Sequence, residues 1–386
     1  MNFLFLLYLI LLIYLIFILW IVWGLPKAFT SLRTQDYNPK TRFSIIIPMR
    51  NEAENLPRLL QSISALSYPH HLMEFFFIDD DSQDASWTLV RTFQSTHRNI
   101  PIFLLSNSVK NSQQDSLVAK YTPKKRAIHK AISLASFPYM VTTDADVTLP
   151  PQWLESYDAK IQDSDADLIA GGVVVAKANS FLSQYQHYDM LSLQLFGYGS
   201  FERKQPVICN GANLCYKKTS YLKAGVHQGK EDIASGDDVF TLQKFRALGF
   251  HIEYLYDPNS LVWTSAVESF KALLEQRKRW AKKSVAVDSL YFKSIGVLVV
   301  LMQLSLVVSL LVTGFNSLYL GFLINAFVLK FCVDALSLKR MAKLQHLEIC
   351  WMDFLKVSLV YPVFTLIFVS SSLFGKFDWK GRQYSK

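Results

Sequence analysis

The chain has 386 residues, a formal net charge of +9 and a hydrophobic share of 51% with positive mean hydropathy. So apolar a composition excludes a purely soluble enzyme, while the length leaves room for one ordinary domain beside membrane segments. The basic residues cluster next to long apolar runs, which points to anionic lipid headgroups rather than nucleic acid as their partner.

The first element, Phe3 to Trp23, is an uncharged apolar run long enough to cross a bilayer core of roughly 30 Å. It has no basic residue ahead of it, exceeds a usual signal-peptide core and lacks a small-residue cleavage site, so it reads as an anchor. Lys27, Arg33, Lys40 and Arg42 follow it, and Arg277, Lys278, Arg279, Lys282 and Lys283 precede the next apolar run. Positive residues at both ends make the middle of the chain cytoplasmic and the protein a multi-pass component of the plasma (inner) membrane. The expected division is an anchor (1–25), a juxtamembrane segment (26–42), a catalytic domain (43–265), an amphipathic interface helix (266–290), a C-terminal membrane region (291–375) and a basic tail (376–386).

Within the middle region strands and helices alternate. "FSIIIP" (43–48) reads as a buried parallel strand. A helix follows, with Asn51 as N-cap and Glu54 completing a capping box. "FFFI" (75–78) and "PIFLL" (101–105) are the next strands, and Ser106 to Gln114 a surface loop. "PKKRAIHKAISLA" (123–135) is a helix, "YMVTT" (139–143) a fourth strand, and "DLIAGGVVV" (167–175) a fifth. The pattern implies a Rossmann-like, mostly parallel α/β sheet that binds ligands at the carboxyl ends of its strands. The four cysteines show no CxxC or zinc spacing and fit reduced thiols without a catalytic role.

Three acidic clusters stand at strand or loop ends. The first is Asp79, Asp80, Asp81 and Asp84. Ser82 or Asp84 explains itself as a helix cap, but three successive aspartates do not. The second, Asp144-Ala145-Asp146, leaves the fourth strand with both carboxylates on one side. Such a pair suits Mg²⁺ or Mn²⁺, which takes its remaining ligands from phosphate and water; alone, it is more often a solvated turn. The third, "SGDDVFTLQKFRALGF", places Asp237 and Asp238 at a helix N-terminus, where they either favour the dipole or supply a general base. Further on, "ESFKALLEQRKRWAKKS" puts Phe270, Leu273, Leu274 and Trp280 on one face, as in a helix lying at a membrane surface.

Three more apolar segments follow. Ile295 to Phe315 is clean, and Leu355 to Phe374 carries Pro362. Leu318 to Leu338 is interrupted by Lys330 and Asp334, whose spacing lets them pair. If all four runs cross, the basic tail lies opposite the catalytic domain, against the positive-inside preference. Two or three C-terminal spans both stay open, with Leu318–Leu338 the segment expected to fall short.

Taken together, "PMRNEAENL", "DDDSQD", "DAD", "GANLCYKK", "GDD" and "QRKRW" resemble, in order and spacing, the family 2 membrane glycosyltransferases of GT-A type. The likeness covers roughly residues 43–284 and is strongest to the ceramide-glucosyltransferase-like and hyaluronan-synthase-like branch. It implies an inverting, metal-dependent hexosyl transfer from a nucleotide-diphosphate sugar, with a UDP-sugar expected. By the same resemblance Asp79, Asp80 and Glu52 contact the nucleoside, and Lys124 and Lys125 support phosphate. Asp144 and Asp146 hold Mg²⁺ or Mn²⁺ and the diphosphate. Asp238 is the base with Asp237 beside it, and Gln276, Arg279 and Trp280 serve the leaving group and acceptor end. Gly211 and Asn213 approach the acceptor, although a tight turn explains them as well. Asp81 stands where the family usually has glycine. "WKGRQY" (379–384) resembles the ending of lipid-glycosylating relatives. The expected acceptor is a hydroxyl of a membrane lipid or glycan. A processive polysaccharide synthase and a non-catalytic scaffold are the alternatives; the few spans speak against the first and the intact acidic set against the second.

Overall fold

The computed structural model describes residues 2–26, 37–107, 121–226, 236–373, 377–380 and 382–384. Along the chain, helix α1 (Asn2–Gly24) precedes β1 (Phe43–Met49), α2 (Leu56–Ser64), β2 (Met73–Asp79), α3 (Ser86–Thr96), β3 (Ile102–Ser106), α4 (Pro123–Leu134) and β4 (Tyr139–Thr142). Next come β5 (Val147–Thr148), α5 (Trp153–Ser164), β6 (Leu168–Ala170), β7 (Val173–Val175) and the long α6 (Phe181–Glu202). After these lie β8 (Leu214–Lys217), α7 (Lys218–Ala224), α8 (Asp237–Ala247), β9 (Ile252–Tyr254) and β10 (Val262–Thr264). The chain ends with α9 (Phe270–Val285), α10 (Leu290–Thr313), α11 (Leu318–Leu344), α12 (Trp351–Leu373) and the hairpin β11 (Phe377–Trp379) and β12 (Arg382–Tyr384). These elements form two units: an α/β unit of residues 29–176 and 208–265, and a helical unit of residues 1–28, 177–207 and 266–386. The stretch expected to be one domain, 43–265, is thus interrupted by the α6 segment.

In the α/β unit a seven-stranded sheet runs β3-β2-β1-β4-β8-β6-β9. The first four strands are mutually parallel, and β8 lies antiparallel to both of its neighbours. Phe43, Ile45, Ile46 and Ile47 of β1 are all fully buried, which is why this strand shows no polar alternation. The chain winds outward through β2 and β3, then returns to β4 on the far side of β1. This reversal opens a crevice at the carboxyl ends of β1 and β4.

Several local expectations are corrected. Asn51 is not an N-cap: α2 begins at Leu56, with Pro57 in its first turn, where a missing N–H is harmless. Asn51 instead adopts a left-handed φ of 51° and accepts a hydrogen bond from the Gln83 amide. The run 167–175 is two strands in different sheets, broken at Gly171-Gly172. Only glycine fits there, because a Cβ at Gly171 would collide with the Asn213 carboxamide. In "GANLCYKK", Leu214–Lys217 is strand β8 and only its first three residues form a loop.

In the helical unit Leu7, Leu11 and Tyr14 of α1 share a buried cluster with Met302 and Leu306 of α10 and with Phe322 and Ala326 of α11. Helices α1, α10, α11 and α12 are each long and apolar enough to cross a membrane. The charges in α11 do not interrupt it: the Lys330 ammonium meets the Asp334 carboxylate at 2.5 Å, and the Tyr14 hydroxyl donates to Asp334 at 2.8 Å. Paired in this way, the two charges neutralise each other within a continuous helix. This removes the reason for expecting the 318–338 segment to fall short.

Candidate active site

The residues singled out in the sequence fall into two groups within the α/β unit and a third in the helical unit. The first group joins the loops after β1 and β2. Ala53 donates its amide to Asp84 Oδ2 at 2.9 Å, Asn51 to Ser82 Oγ at 2.9 Å, and Glu52 to Ser86 Oγ at 2.7 Å. Asp84 therefore ties two loops together as well as accepting the first helical amide, that of Ser86. Its carboxyl lies below the usual range: burial pushes it up, and the hydrogen bonds from Ser86 and Ala53 outweigh that. Asp81 takes a φ of 57°, a conformation that glycine adopts without strain. Asp81 thus holds a turn in which the resemblance led one to expect glycine.

Asp79 and Asp80 are both buried. Asp80 Oδ1 accepts from Asn107 Nδ2 at 2.9 Å, with Arg126 at 3.9 Å, while Arg50 lies 3.8 Å from Oδ2. Asp79 Oδ2 accepts the Ser82 amide, and its buried Oδ1 has no hydrogen-bond partner among the described residues. Burial foremost, followed by the neighbouring aspartates, raises the Asp79 pKa against the opposing Ser82 hydrogen bonds. An orphaned buried acceptor is costly unless a ligand donor meets it. Glu52 is buried and accepts from Asn55 Nδ2 at 2.8 Å. Sequence reading missed Arg50, Asn107 and Arg126; their signal is chain proximity to β1, β3 and the "PKKR" turn.

The second group sits at the switch point. Ala145 is buried while Asp144 and Asp146 flank it half-exposed, in the turn that joins β4 to β5. Lys124, in the first turn of α4, donates to Asp144 Oδ1 at 2.7 Å. Burial depresses the Lys124 ammonium, yet Asp144, Asp237 and Asp238 together hold its pKa above the ordinary lysine value. One cation thus feels three of the expected site carboxylates at once. Arg58 fixes the Asp146 carbonyl at 3.0 Å, and Thr142 and Thr143 bind the carbonyls of Gly211 and Ala212 at 2.8 and 2.9 Å. That loop in turn donates the Gly211 amide to Asp238 Oδ2 at 3.1 Å. Asp238 Oδ1 accepts the Val239 amide, and both acids open α8, whose dipole favours their charge. Asp237 is the more buried of the two. Ser235 lies outside the described residues.

Two expected residues are placed elsewhere. Lys125 is fully buried, with its ammonium 5.4 Å from the centre of the Phe240 ring in α8. Asn213 has no exposed surface: its Oδ1 accepts from Trp153 and Tyr157, and its Nδ2 donates to the carbonyls of Gly172 and Ser260. All of its polar capacity is spent on joining loops, so it does not meet an acceptor.

The third group lies on α9, where Gln276, Arg279 and Trp280 are partly exposed. On the same helix Arg277 stacks 4.2 Å from the Trp280 ring and pairs with Asp189 of α6. Phe270 packs on Phe364 and Phe368, so the apolar face of α9 is partly covered by α12.

Residues 3–385 match the family model of glycosyl transferase family 21. The chain belongs to glycosyl transferase family 21. Members of this family have the GT-A-type fold expected from the motifs, and the enzyme is a glycosyltransferase. It is 23% identical over 244 residues to glycosyltransferase AglE of Haloferax volcanii, covering 63% of this chain and 73% of that one. It is 23% identical to the poly-beta-1,6-N-acetyl-D-glucosamine synthase of Staphylococcus epidermidis over 62% of this chain; the match spans about half (53%) of that relative's length. The mannosyltransferase PcManGT of Pyrobaculum calidifontis, solved with GDP-Man and Mn²⁺, shares its fold at a TM-score of 0.50 and 15% identity, over 88% of this chain and 90% of that one.

Proposed function

We propose that this family 21 member transfers a sugar, with inversion, from a nucleotide-diphosphate donor to a hydroxyl of a membrane lipid at the cytoplasmic face. The observation that carries this reading is Lys124, held at the switch point by Asp144 with Asp237 and Asp238 within electrostatic reach. A cation ringed by carboxylates at the carboxyl ends of parallel strands suits a diphosphate that gains charge as its bond to the sugar breaks. Asp79, with its unpartnered Oδ1, would accept an N–H of the base, and Glu52 would lie alongside.

The roles follow from chemistry. Asp238, which accepts the Gly211 and Val239 amides at the start of α8, would take the proton of the acceptor hydroxyl. Oxygen would attack the anomeric carbon opposite the diphosphate, giving an oxocarbenium-like transition state without a covalent intermediate. Asp237 would shape the field around this base. Gln276, Arg279 and Trp280 of α9 would receive the leaving diphosphate and the acceptor end.

Among the described residues no group of three or more His, Cys, Asp or Glu side chains could hold a metal by itself. Two carboxylates beside a diphosphate do fit Mg²⁺ or Mn²⁺, which needs only one or two protein ligands. Asp144 and Asp146 would hold it, and when bound it would neutralise diphosphate charge. Mn²⁺ accompanies GDP-Man in the Pyrobaculum protein.

Four span-length helices and the basic clusters support a membrane acceptor. A processive synthase is the second reading, favoured by the staphylococcal relative's name. Incubating membranes with radiolabelled UDP- and GDP-sugars and Mn²⁺, then extracting with organic solvent, separates the two. Label in the extract supports the lipid acceptor, label in insoluble polymer the synthase, and no transfer from any donor the scaffold.

A further inference from the structure

Helix α12 has the length and composition of a span, yet its contacts are those of a helix that stays on one side. The crossing direction is set by the other three helices. Phe3 meets Tyr319 at 6.0 Å, Tyr8 meets Phe322 at 4.9 Å, and Arg340 donates to the Leu25 carbonyl at 2.7 Å, so α1 and α11 run parallel. Trp20 meets Tyr291 at 6.5 Å, while Leu7 and Leu11 cluster with Met302 and Leu306, so α10 runs antiparallel to both. One end of this bundle carries Leu25, Tyr291 and Arg340, the other Phe3 and Tyr319.

Both ends of α12 are tied to residues where the chain enters the helical unit. Near its start, Asp353 pairs with Lys177 at 2.6 Å, and Lys177 directly follows the α/β unit in sequence. Near its end, Phe364 and Phe368 lie 5.2 and 6.0 Å from Phe270, in the first turn of α9. The hairpin strand β11, just beyond α12, also lies against α9. Residues 353 to 368 span about 22 Å of helix. A crossing helix would carry its far end about 30 Å from the side it left, away from α9.

We infer that α12 does not cross: it lies in the leaflet on the side of α9 and leaves the C-terminal hairpin on that side. Its two faces agree. Phe354, Val357 and Phe368 are buried, whereas Leu359, Val363 and Ile367 form an exposed apolar stripe at helical spacing, with exposed Lys356 one turn before it on the same face. The occupant of that stripe is the acyl and headgroup region of the same leaflet, continuous with the lipid around α1, α10 and α11. The basic tail then satisfies the positive-inside preference without shortening α11.

This inference rests on α1, α10 and α11 being crossings, and the test separates the two. In full-length protein carrying Cys332→Ser and Cys350→Ser, single Arg98→Cys, Asn316→Cys and Lys386→Cys substitutions are probed in sealed vesicles of both orientations with an impermeant maleimide. Lys386→Cys is expected to label with Arg98→Cys and to lose labelling where Asn316→Cys reacts. Labelling of Lys386→Cys together with Asn316→Cys, in the orientation opposite Arg98→Cys, overturns the inference. Labelling of Asn316→Cys alongside Arg98→Cys overturns the crossings on which it rests.

Discussion

Arg277 and Asp189 form an ion pair of 2.5 Å in which each side chain is only 10% exposed. The other Asp189 oxygen accepts from the Tyr361 hydroxyl at 2.9 Å, and Arg277 stacks on Trp280. Asp189 and Tyr361 thus fix the guanidinium on which Trp280 rests. Asp189→Asn leaves a buried cation uncompensated, which costs about 3–5 kcal/mol. Tyr361→Phe removes one hydrogen bond, worth about 1.5–3 kcal/mol when a charged partner is involved. Detergent-solubilised Asp189→Asn is expected to melt well below Tyr361→Phe; equal melting temperatures would show that the pair is not what holds α6 to α9.

Lys124→Met removes the cation that Asp144 holds, and is expected to lower kcat by about 10²–10³, the scale of losing one positioned stabilising group. Lys124→Arg should recover part of that rate. The raised pKa gives a pH prediction as well. A lysine raised in the folded state keeps its charge, and its contribution to stability, up to its unfolded value of about 10.4; that contribution is lost only as pH rises through the higher folded value. The basic limb of the kcat profile should therefore not fall below about pH 10 on account of Lys124. A fall near neutrality that disappears in Lys124→Arg would contradict this.

The parallel half of the sheet was legible because β1, β2 and β4 bury both faces and read as unbroken apolar runs. The acidic loops were legible because three adjacent aspartates have no structural explanation of their own, and because the DxD, an ordinary turn when taken alone, stands in order between them and "GDD". Asn213 misled for a physical reason: a polar residue in a loop motif looks available until the packing of Trp153 and Tyr157 around it is known. Helix α6 went unread because polar and aromatic residues are mixed into its buried positions, Gln186, Asp189 and Gln194 beside Met190, Leu191 and Leu195, so no apolar period marks it. Asp189 was hidden with it.

Gly171 and Asn213 make a paired prediction. Gly171→Ala pushes a methyl group into a carboxamide that four hydrogen bonds hold in place. Asn213→Ala leaves those partners unsatisfied at about 1–3 kcal/mol each. Both variants should lower the melting temperature, and the double variant should lose less than the sum, since the alanine at 213 makes room for the methyl. Strict additivity in denaturation would count against the contact.

Asp79 carries a cost that its substitution should reveal. Burial raises its pKa, so between the unfolded value of about 3.9 and its own folded value the native state holds more protons than the unfolded one. A charge disfavoured by burial therefore destabilises the fold at neutral pH, and this destabilisation fades as pH falls through that window. Asp79→Asn should be at least as stable as the parent at pH 7, with the difference vanishing below about pH 3.9. It should also bind nucleotide more weakly, because the orphaned acceptor is altered. Thermal melts across pH, alongside UDP and GDP titrations, separate the two effects; a variant less stable at pH 7 would refute the assignment.

Asp238→Asn is the decisive substitution for the chemistry. The carboxamide can still accept the Gly211 and Val239 amides, so loop and helix start are preserved. What is lost is the capacity to take a proton, and a general base typically contributes about 10²–10⁴ in rate. Turnover should fall by that factor while donor affinity, which the proposed function assigns to Asp79, Lys124 and Asp144, stays within about twofold, well under the 1.4 kcal/mol that makes a tenfold change. Asp237→Asn should act more mildly, since it alters the field without removing the base. Single-turnover transfer measured beside equilibrium donor binding tests both. If Asp237→Asn is the silent-binding, dead-transfer variant and Asp238→Asn turns over normally, the base is Asp237 and the role of the α8 N-terminus shifts by one residue.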